Sequence, residues 1–365
     1  MLKVCISGGP CSGKSSCLSK LHNELSQKLN KKVFIVPETA TELISNGIAP
    51  GKHISLEDFQ EFVLDKQLAK EELYDRLVNF YNPDDIIIIY DRGLLDQMAY
   101  VTKNVFQKML KERGISFANV NDRYDIVIHL TTAAKGTNAY TKENNKARRE
   151  TAEEAIKIDD ETLKCNILHP HMRVVTNKPN FDDKVKEVLS IVFDALGVPS
   201  PSEIERKFLI KKPDRETLNR IKSSISSISE ITQTYLIPIN GIERRVRKRG
   251  TEEDGYSLYY TEKIPVTDFE RYEKEKKIDM GRYVSLLDEA DTSCHQLKKT
   301  RYCFIYKGQY FEMDLYPFSD EYAILEIELS KQNQEVFIPH FIDVVKEVTN
   351  DANYKNRNIA KTQKL

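Results

Sequence analysis

At 365 residues, 40% of them hydrophobic and 30% charged, the chain has room for two ordinary domains with separate cores. A net charge of −1 excludes a global basic field that would draw it to nucleic acid or anionic membrane, so any basic site has to be local. Six scattered cysteines without a Cys-x-x-Cys, and no apolar run near the ~20 residues of a membrane span, predict a reduced, cytoplasmic chain with neither disulfide framework nor transmembrane segment.

Residues 1–197 alternate short apolar runs with helical stretches. The runs are Leu2–Ile6, Val33–Val36, Ile86–Tyr90, Ile126–Leu130 and Met172–Thr176. Five buried strands separated by helices predict an α/β fold with a doubly wound parallel sheet. The opening residues read as a strand entering a glycine loop, not as a secretion signal. That loop, Gly8-Gly9-Pro10-Cys11-Ser12-Gly13-Lys14-Ser15, matches G-x-x-x-x-G-K-[ST], with a strand before it and a helix, Ser15–Leu29, after it. Backbone N–H groups from Gly8 to Ser16 can wrap phosphates at a helix N-terminus. Lys14 is expected to neutralise the β- and γ-phosphates and the Ser15 hydroxyl to ligate Mg2+, with ATP or GTP as the nucleotide.

Asp91 ends the third run, where a Walker B carboxylate belongs, and Arg92 beside it can hold a substrate or phosphate. Glu38 ends the second run at the sheet edge where ligands bind. It reads equally as a catalytic base or as a carboxylate at a helix N-terminus. Arg148 and Arg149 lie in the polar stretch Lys135–Glu150, either a lid closing over a transferring phosphoryl group or a solvated helix start. After the fifth run, Asn177-Lys178-Pro179-Asn180 stands where guanine-reading proteins carry Asn-Lys-x-Asp. Asn177 is a nucleotide-binding candidate, but Asn180 replaces the carboxylate that would accept both guanine donors, so the base stays open.

A helix, Asp182–Leu196, and the Pro/Ser connector beginning at Gly197 close this half. The predicted layout is a nucleotide-binding domain over 1–197, a linker over 198–202, a second domain over 203–350 and a tail over 351–365.

The second domain changes to period-2 alternation. Strands are expected at Glu203–Ile210, Glu230–Ile237, Glu243–Lys248, Ser257–Lys263, Tyr272–Ile278, Thr300–Tyr306, Tyr310–Tyr316 and Ala323–Leu329. Turns such as Ile239-Asn240-Gly241 and Lys307-Gly308-Gln309 join them, and the Ser-rich patch at 223–229 reads as a helix end or loop. Eight strands with two or three helices predict an α+β antiparallel barrel.

Its strands repeat one pattern, charges at i and i+2 with apolar residues between, which puts the charges on one face. They are Glu203, Glu205 and Lys207; Arg245 and Arg247; Lys263; Lys299 and Arg301; Glu312 and Asp314; Glu326 and Glu328. Like charges so close repel unless a counter-ion or ligand lies between them. Basic side chains can clamp a phosphate chain and carboxylates can hold Mg2+ or Mn2+.

This ordered set resembles the CYTH, or triphosphate tunnel metalloenzyme, superfamily. The resemblance implies an eight-stranded tunnel and divalent-metal-dependent binding or hydrolysis of triphosphates. It gives phosphate binding to Arg245, Arg247, Lys299 and Arg301, and metal binding to Glu203, Glu205, Glu326 and Glu328. Lys207, Lys263, Glu312 and Asp314 complete the lining. The first half resembles the P-loop kinase-like group that includes nicotinamide riboside kinase, through the phosphate loop, Pro37–Ala40, Asp91–Gly93 and the arginine pair. The two halves in this order, with the Val348–Asn356 end, are similar to the TRPL translocation defect protein 14 family. That likeness implies GTP binding, phosphoinositide binding and a trafficking role, peripheral on endosomal membranes.

Overall fold

The computed structural model describes residues 1–29, 31–136, 151–197, 204–265, 271–329 and 334–365. Arg148, Arg149 and Glu203 lie outside the described residues. Contacts divide the chain into two units, Met1–Val192 and Phe193–Leu365.

In the first unit β1 (Leu2–Ser7) is followed by α1 (Lys14–Leu29), β2 (Lys32–Val36), α2 (Thr39–Ser45) and α3 (Leu56–Asp75). Then come β3 (Ile86–Asp91), α4 (Lys103–Glu112), α5 (Phe117–Asn121), β4 (Ile126–Leu130), α6 (Ala152–Asn166), β5 (Met172–Val175) and α7 (Phe181–Ala195). The strands pair in parallel in the order β2-β3-β1-β4-β5, the doubly wound sheet expected. All residues of β3 and β4 are buried, because helices cover both faces of a parallel sheet. Register sets Ile6 beside Asp91 and Val36 beside Tyr90, so the ends of β1, β2 and β3 meet at one edge. α6 opens on a capping box in which Thr151 and Glu154 each accept the other's backbone N–H.

The second unit runs β6 (Ile204–Lys211), α8 (Arg215–Lys222), β7 (Ser226–Ile239), β8 (Ile242–Thr251), β9 (Gly255–Pro265) and β10 (Arg271–Lys277). It continues with α9 (Met280–Leu287), β11 (Leu297–Tyr306), β12 (Gln309–Leu315), β13 (Tyr322–Leu329), β14 (Val344–Glu347) and α10 (Asn356–Thr362). The β7–β8 hairpin turns through Asn240 and Gly241, both at positive φ (52° and 76°), the pair a two-residue primed turn requires.

Two expectations need correction. The described strands number nine, and they form an open antiparallel sheet, β10-β9-β8-β7-β11-β12-β13-β6-β14, whose outer strands have one partner each; the expected eight-stranded closed barrel is not formed. Alternation reports which face a side chain takes, whereas closure depends on strand tilt and stagger, which alternation does not encode. The serines at 226–229 belong to β7, opposite Arg301–Phe304 of β11. There, cross-strand pairing overrides a weak strand propensity.

One face of this sheet buries an apolar core of Phe208, Ile210, Phe304, Phe311, Met313 and Leu325 under Ile221 of α8. The opposite face carries the charges. At one end of it Leu209, Tyr235, Leu297, Tyr316 and Ile324 are covered by Ile359 and Ala360 of α10.

Candidate functional sites in the two units

In the first unit the chain leaves β1 through Gly8, at φ 142°. A Cβ there would lie 2.4 Å from the Leu130 carbonyl oxygen, so only glycine fits the approach. The half-buried Cys11 follows Pro10 at φ 59°, and Ser12 is buried. Gly13 leads into α1, whose first turn carries Lys14 and the exposed Ser15 and Ser16. Lys14 Nζ donates to the Gly8 carbonyl at 3.0 Å, folding the lysine back over its own loop. Burial, with help from Arg92, pushes its pKa down, against the pull of Glu38 and Asp91.

Those four residues form one electrostatic group. Asp91 is buried at the end of β3, and its Oδ1 has no hydrogen-bond partner among the described residues. Burial raises its pKa; Lys14 opposes that shift and Glu38 adds to it. Arg92, at φ 72°, donates from Nε to Glu38 Oε1 at 2.5 Å. Glu38 also accepts from Thr41 Oγ1 at 2.9 Å. It stands at the N-cap position of α2 without making a side-chain cap bond, so its carboxylate goes to Arg92 and the Thr41 hydroxyl and not to the helix's backbone N–H groups. Burial works to raise the Glu38 carboxyl, but Arg92 and Lys14 outweigh it and hold it at about 2.

Several contributors carry no motif of their own. Asp96 accepts from Ser7 Oγ at 2.8 Å and Asn166 Nδ2 at 2.6 Å, and lies 3.6 Å from Arg92. Lys184 of α7 donates to the carbonyls of Ser12 (3.1 Å) and Thr131 (2.7 Å) and to Asn177 Oδ1 (3.0 Å), bracing the loop from below. Asn177 also donates to the carbonyls of Thr132 and Lys135, so its side chain ties loops together. Asn180 accepts the Asp182 N–H at 3.0 Å, at the start of α7.

In the second unit every described charge picked out by the alternation lies on one face. Register sets Arg301 beside Asp314, Glu312 beside Glu326, Glu326 beside Lys207 and Glu328 beside Glu205. Arg301 bonds Asp314 at 2.7 Å, Glu326 at 2.9 Å and Glu312. Lys299 bonds Asp314, and Lys207 reaches Glu326 at 2.7 Å and Glu205 at 3.1 Å. Burial opposes ionisation of Asp314 and Glu326, yet the neighbouring cations hold both below the usual carboxylate range.

Across the sheet, Arg245 bonds Glu273 at 2.6 Å, Arg247 bonds Glu275 at 2.8 Å and Lys263 bonds Glu273 at 2.6 Å. The Nε atoms of Arg245 and Arg247 are buried with no hydrogen-bond partner among the described residues. Arg249, two residues further along β8, is 5% exposed and within electrostatic reach of Cys303, Tyr310 and Glu312. Reading Arg-x-Arg as a pair misses it; continued period-2 counting along β8 finds it.

Charge on this face is therefore segregated. Among the described residues Lys207, Lys299 and Arg301 face five carboxylates: Glu205, Glu312, Asp314, Glu326 and Glu328. Arg245, Arg247, Arg249 and Lys263 face three: Glu243, Glu273 and Glu275. No cluster of three or more His, Cys, Asp or Glu among the described residues has metal-site geometry. Oxygen-only donors suit a hard divalent cation, and Glu205, already reached by Lys207, stands opposite Glu328 in the register.

Residues 3–184 match the family model described as AAA domain. The first unit is a P-loop-like nucleotide-binding domain. No curated protein matches the chain. Among solved structures, it is similar to an inorganic triphosphatase at 28% identity, over 44% of this chain and 95% of that one, with a TM-score of 0.31. A thymidylate kinase from Ehrlichia chaffeensis is 15% identical over 52% of this chain and 98% of its own, with a TM-score of 0.37. A protein from Pyrococcus horikoshii OT3 is 23% identical over 36% and 81%, with a TM-score of 0.27. No helix among the described residues is long and apolar enough to cross a membrane.

Proposed function

We propose that the chain joins a Mg2+-dependent ATP- or GTP-binding unit to a second unit that binds and hydrolyses triphosphate-type ligands with Mg2+ or Mn2+. The observation that carries the second half is charge segregation on a single sheet face, with buried arginine Nε donors left over at its basic end. Arg245, Arg247 and Lys263 supply cations for the phosphates, joined by Arg249. Glu205, Glu328 and Glu326, together with Glu203, supply oxygens for the metal. Lys299, Arg301, Glu312 and Asp314 hold each other in place between the two. A bound divalent ion would polarise a bridging phosphate and position water.

In the first unit Lys14 and the loop N–H groups hold the phosphates, and Ser15 and Asp91 hold Mg2+; the unpartnered Asp91 Oδ1 suits that duty. The test is phosphate release from inorganic triphosphate and from NTPs, with Mg2+ or Mn2+, in wild type, Arg247→Ala and Lys14→Ala. Loss confined to Arg247→Ala assigns hydrolysis to the second unit, and loss confined to Lys14→Ala assigns it to the first. No release from any substrate overturns the hydrolase reading.

A second reading is favoured by one observation: Arg301 already bonds Glu312, Asp314 and Glu326, as a binding site without chemistry would. On that reading the chain is a cytoplasmic, nucleotide-regulated phosphoinositide binder of the TRPL translocation defect protein 14 kind, peripheral on endosomal membranes. Tight binding to phosphoinositide vesicles without phosphate release distinguishes it. A nucleoside-type kinase role needs Arg92 to release Glu38 to the acceptor hydroxyl. A nucleoside panel with labelled ATP and GTP tests that role, and a uniformly negative panel rejects it.

A further inference from the structure

Asp159 belongs to no motif, yet it is among the most confined carboxylates of the first unit. It sits on α6, fully buried, where an ionised side chain is costly unless its oxygens are satisfied. Donors from three places satisfy it. Oδ1 accepts the Gly9 N–H at 2.8 Å and the Thr132 N–H at 3.2 Å, and lies 3.2 Å from His129 Nε2. Oδ2 accepts from Lys135 Nζ at 2.8 Å. The approach to Gly9 is so close that a Cβ at that position would lie 2.7 Å from Asp159 Cβ. The second loop glycine is thus required by the carboxylate beside it, and its N–H is turned toward Asp159.

We propose that Asp159 is a positioning residue for nucleotide binding: it joins the phosphate loop at Gly9 to the end of β4 and to Lys135, and so sets the loop for a nucleoside triphosphate. The proposal rests on the nucleotide-binding reading of the first unit. The Lys135 pair matters because Lys135, which also bonds Asp160 at 2.5 Å, offsets the charge of Asp159 beside the phosphate loop; without it His129 and the two N–H donors alone answer a carboxylate close to an incoming anion.

The test titrates fluorescent ATP and GTP analogues against wild type, Lys135→Met, Lys135→Arg, Asp159→Asn and the Lys135→Met/Asp159→Asn double variant, with thermal unfolding recorded for each and Lys14→Ala as the control for loop-dependent binding. Lys135→Met is expected to weaken affinity about tenfold, and Lys135→Arg, which keeps the charge, to retain it. Asp159→Asn keeps an acceptor for Gly9 but removes the charge, so the double variant binds no worse than Lys135→Met alone. A purely structural role would lower thermal stability and leave the affinity of folded protein unchanged, and that result overturns the proposal. Multiplicative losses in the double variant overturn it as well. If Asp159→Asn fails to fold, the Lys135 pair of variants at a partly exposed side chain decides alone. Wild type lacking Lys14-dependent binding fails the nucleotide reading and this proposal with it; wild-type binding with unaffected variants fails only this proposal.

Discussion

Glu38 and Asp91 share one electrostatic group and are pushed in opposite directions, Glu38 down to about 2 by Arg92 and Lys14, Asp91 up by burial. Such divergence separates the roles of two carboxylates. Removing the guanidinium in Arg92→Ala leaves burial opposed only by Lys14 and the Thr41 hydrogen bond, so the Glu38 pKa is expected to climb from about 2, read by carbon-detected NMR titration. In the second unit Asp314 is fully buried between Lys299 and Arg301. Asp314→Ala leaves two buried cations without their shared partner, a loss of about 3–5 kcal/mol in urea unfolding. Glu273, Asp314 and Glu326 all ionise more readily in the fold than their ordinary values of 4.5, 3.8 and 4.5. Their contribution is therefore full above about pH 5 and is lost as pH falls toward the depressed folded values, so urea midpoints followed from pH 6 to pH 3 should drop. Period-2 spacing picked out Arg245, Arg247, Lys263, Lys299, Arg301, Asp314 and Glu326 because alternation settles which face a side chain takes. It did not single out Arg249, or Glu273 and Glu275, the partners of Arg245 and Arg247. Pairing was not legible, since partner choice depends on inter-strand register, and register left Lys299 and Arg301 bonded to carboxylates that the alternation alone could not assign to them.

At the scale of elements, the phosphate loop and its flanking strand and helix were readable because glycine spacing, a buried run and a helix start coincide over a short span. α10 and β14 were not. α10 spans seven residues and buries only Ile359 and Ala360, too few for a visible period, and β14 is four exposed residues. Yet α10 covers Tyr235, Leu297 and Ile324. Ile359→Ala is expected to cost about 2–5 kcal/mol, and truncation before Asn356 to expose that apolar end of the charged face; both are checked by chemical unfolding of the variants. α6 gives the converse lesson: its capping box was present in sequence at Thr151 and Glu154, but nothing local marked Asp159 as the residue reaching Gly9, 150 positions away.

For the whole molecule, the proposed function gives the two units phosphate-binding faces of unlike construction. The first relies on backbone N–H groups and one lysine, the second on side-chain cations held among carboxylates. Ligand linkage then predicts selective stabilisation. A nucleotide at a hundredfold its Kd should stabilise the first unit by about 2.7 kcal/mol, and inorganic triphosphate with Mg2+ should do likewise for the second. Calorimetry combined with limited proteolysis reads each effect, Lys14→Ala removing the first and Arg247→Ala the second. Chain length left room for two domains, whereas the open sheet escaped the sequence because closure is a property of strand geometry.

An open sheet also has borders, and borders recruit other chains. β10 lies at one border and presents Lys274, Lys276 and Lys277 to solvent, while the other ends in the short β14, bulged against β6 and carrying Lys346. Exposed lysines on β10 and the brevity of β14 are features that disfavour edge-to-edge pairing between copies of a chain. Lys274 and Lys276 are on the face of β10 opposite Glu273 and Glu275, and we expect them to guard that border against pairing. Exchanging Lys274 and Lys276 for valine should leave the fold intact and turn a clear solution turbid on concentration.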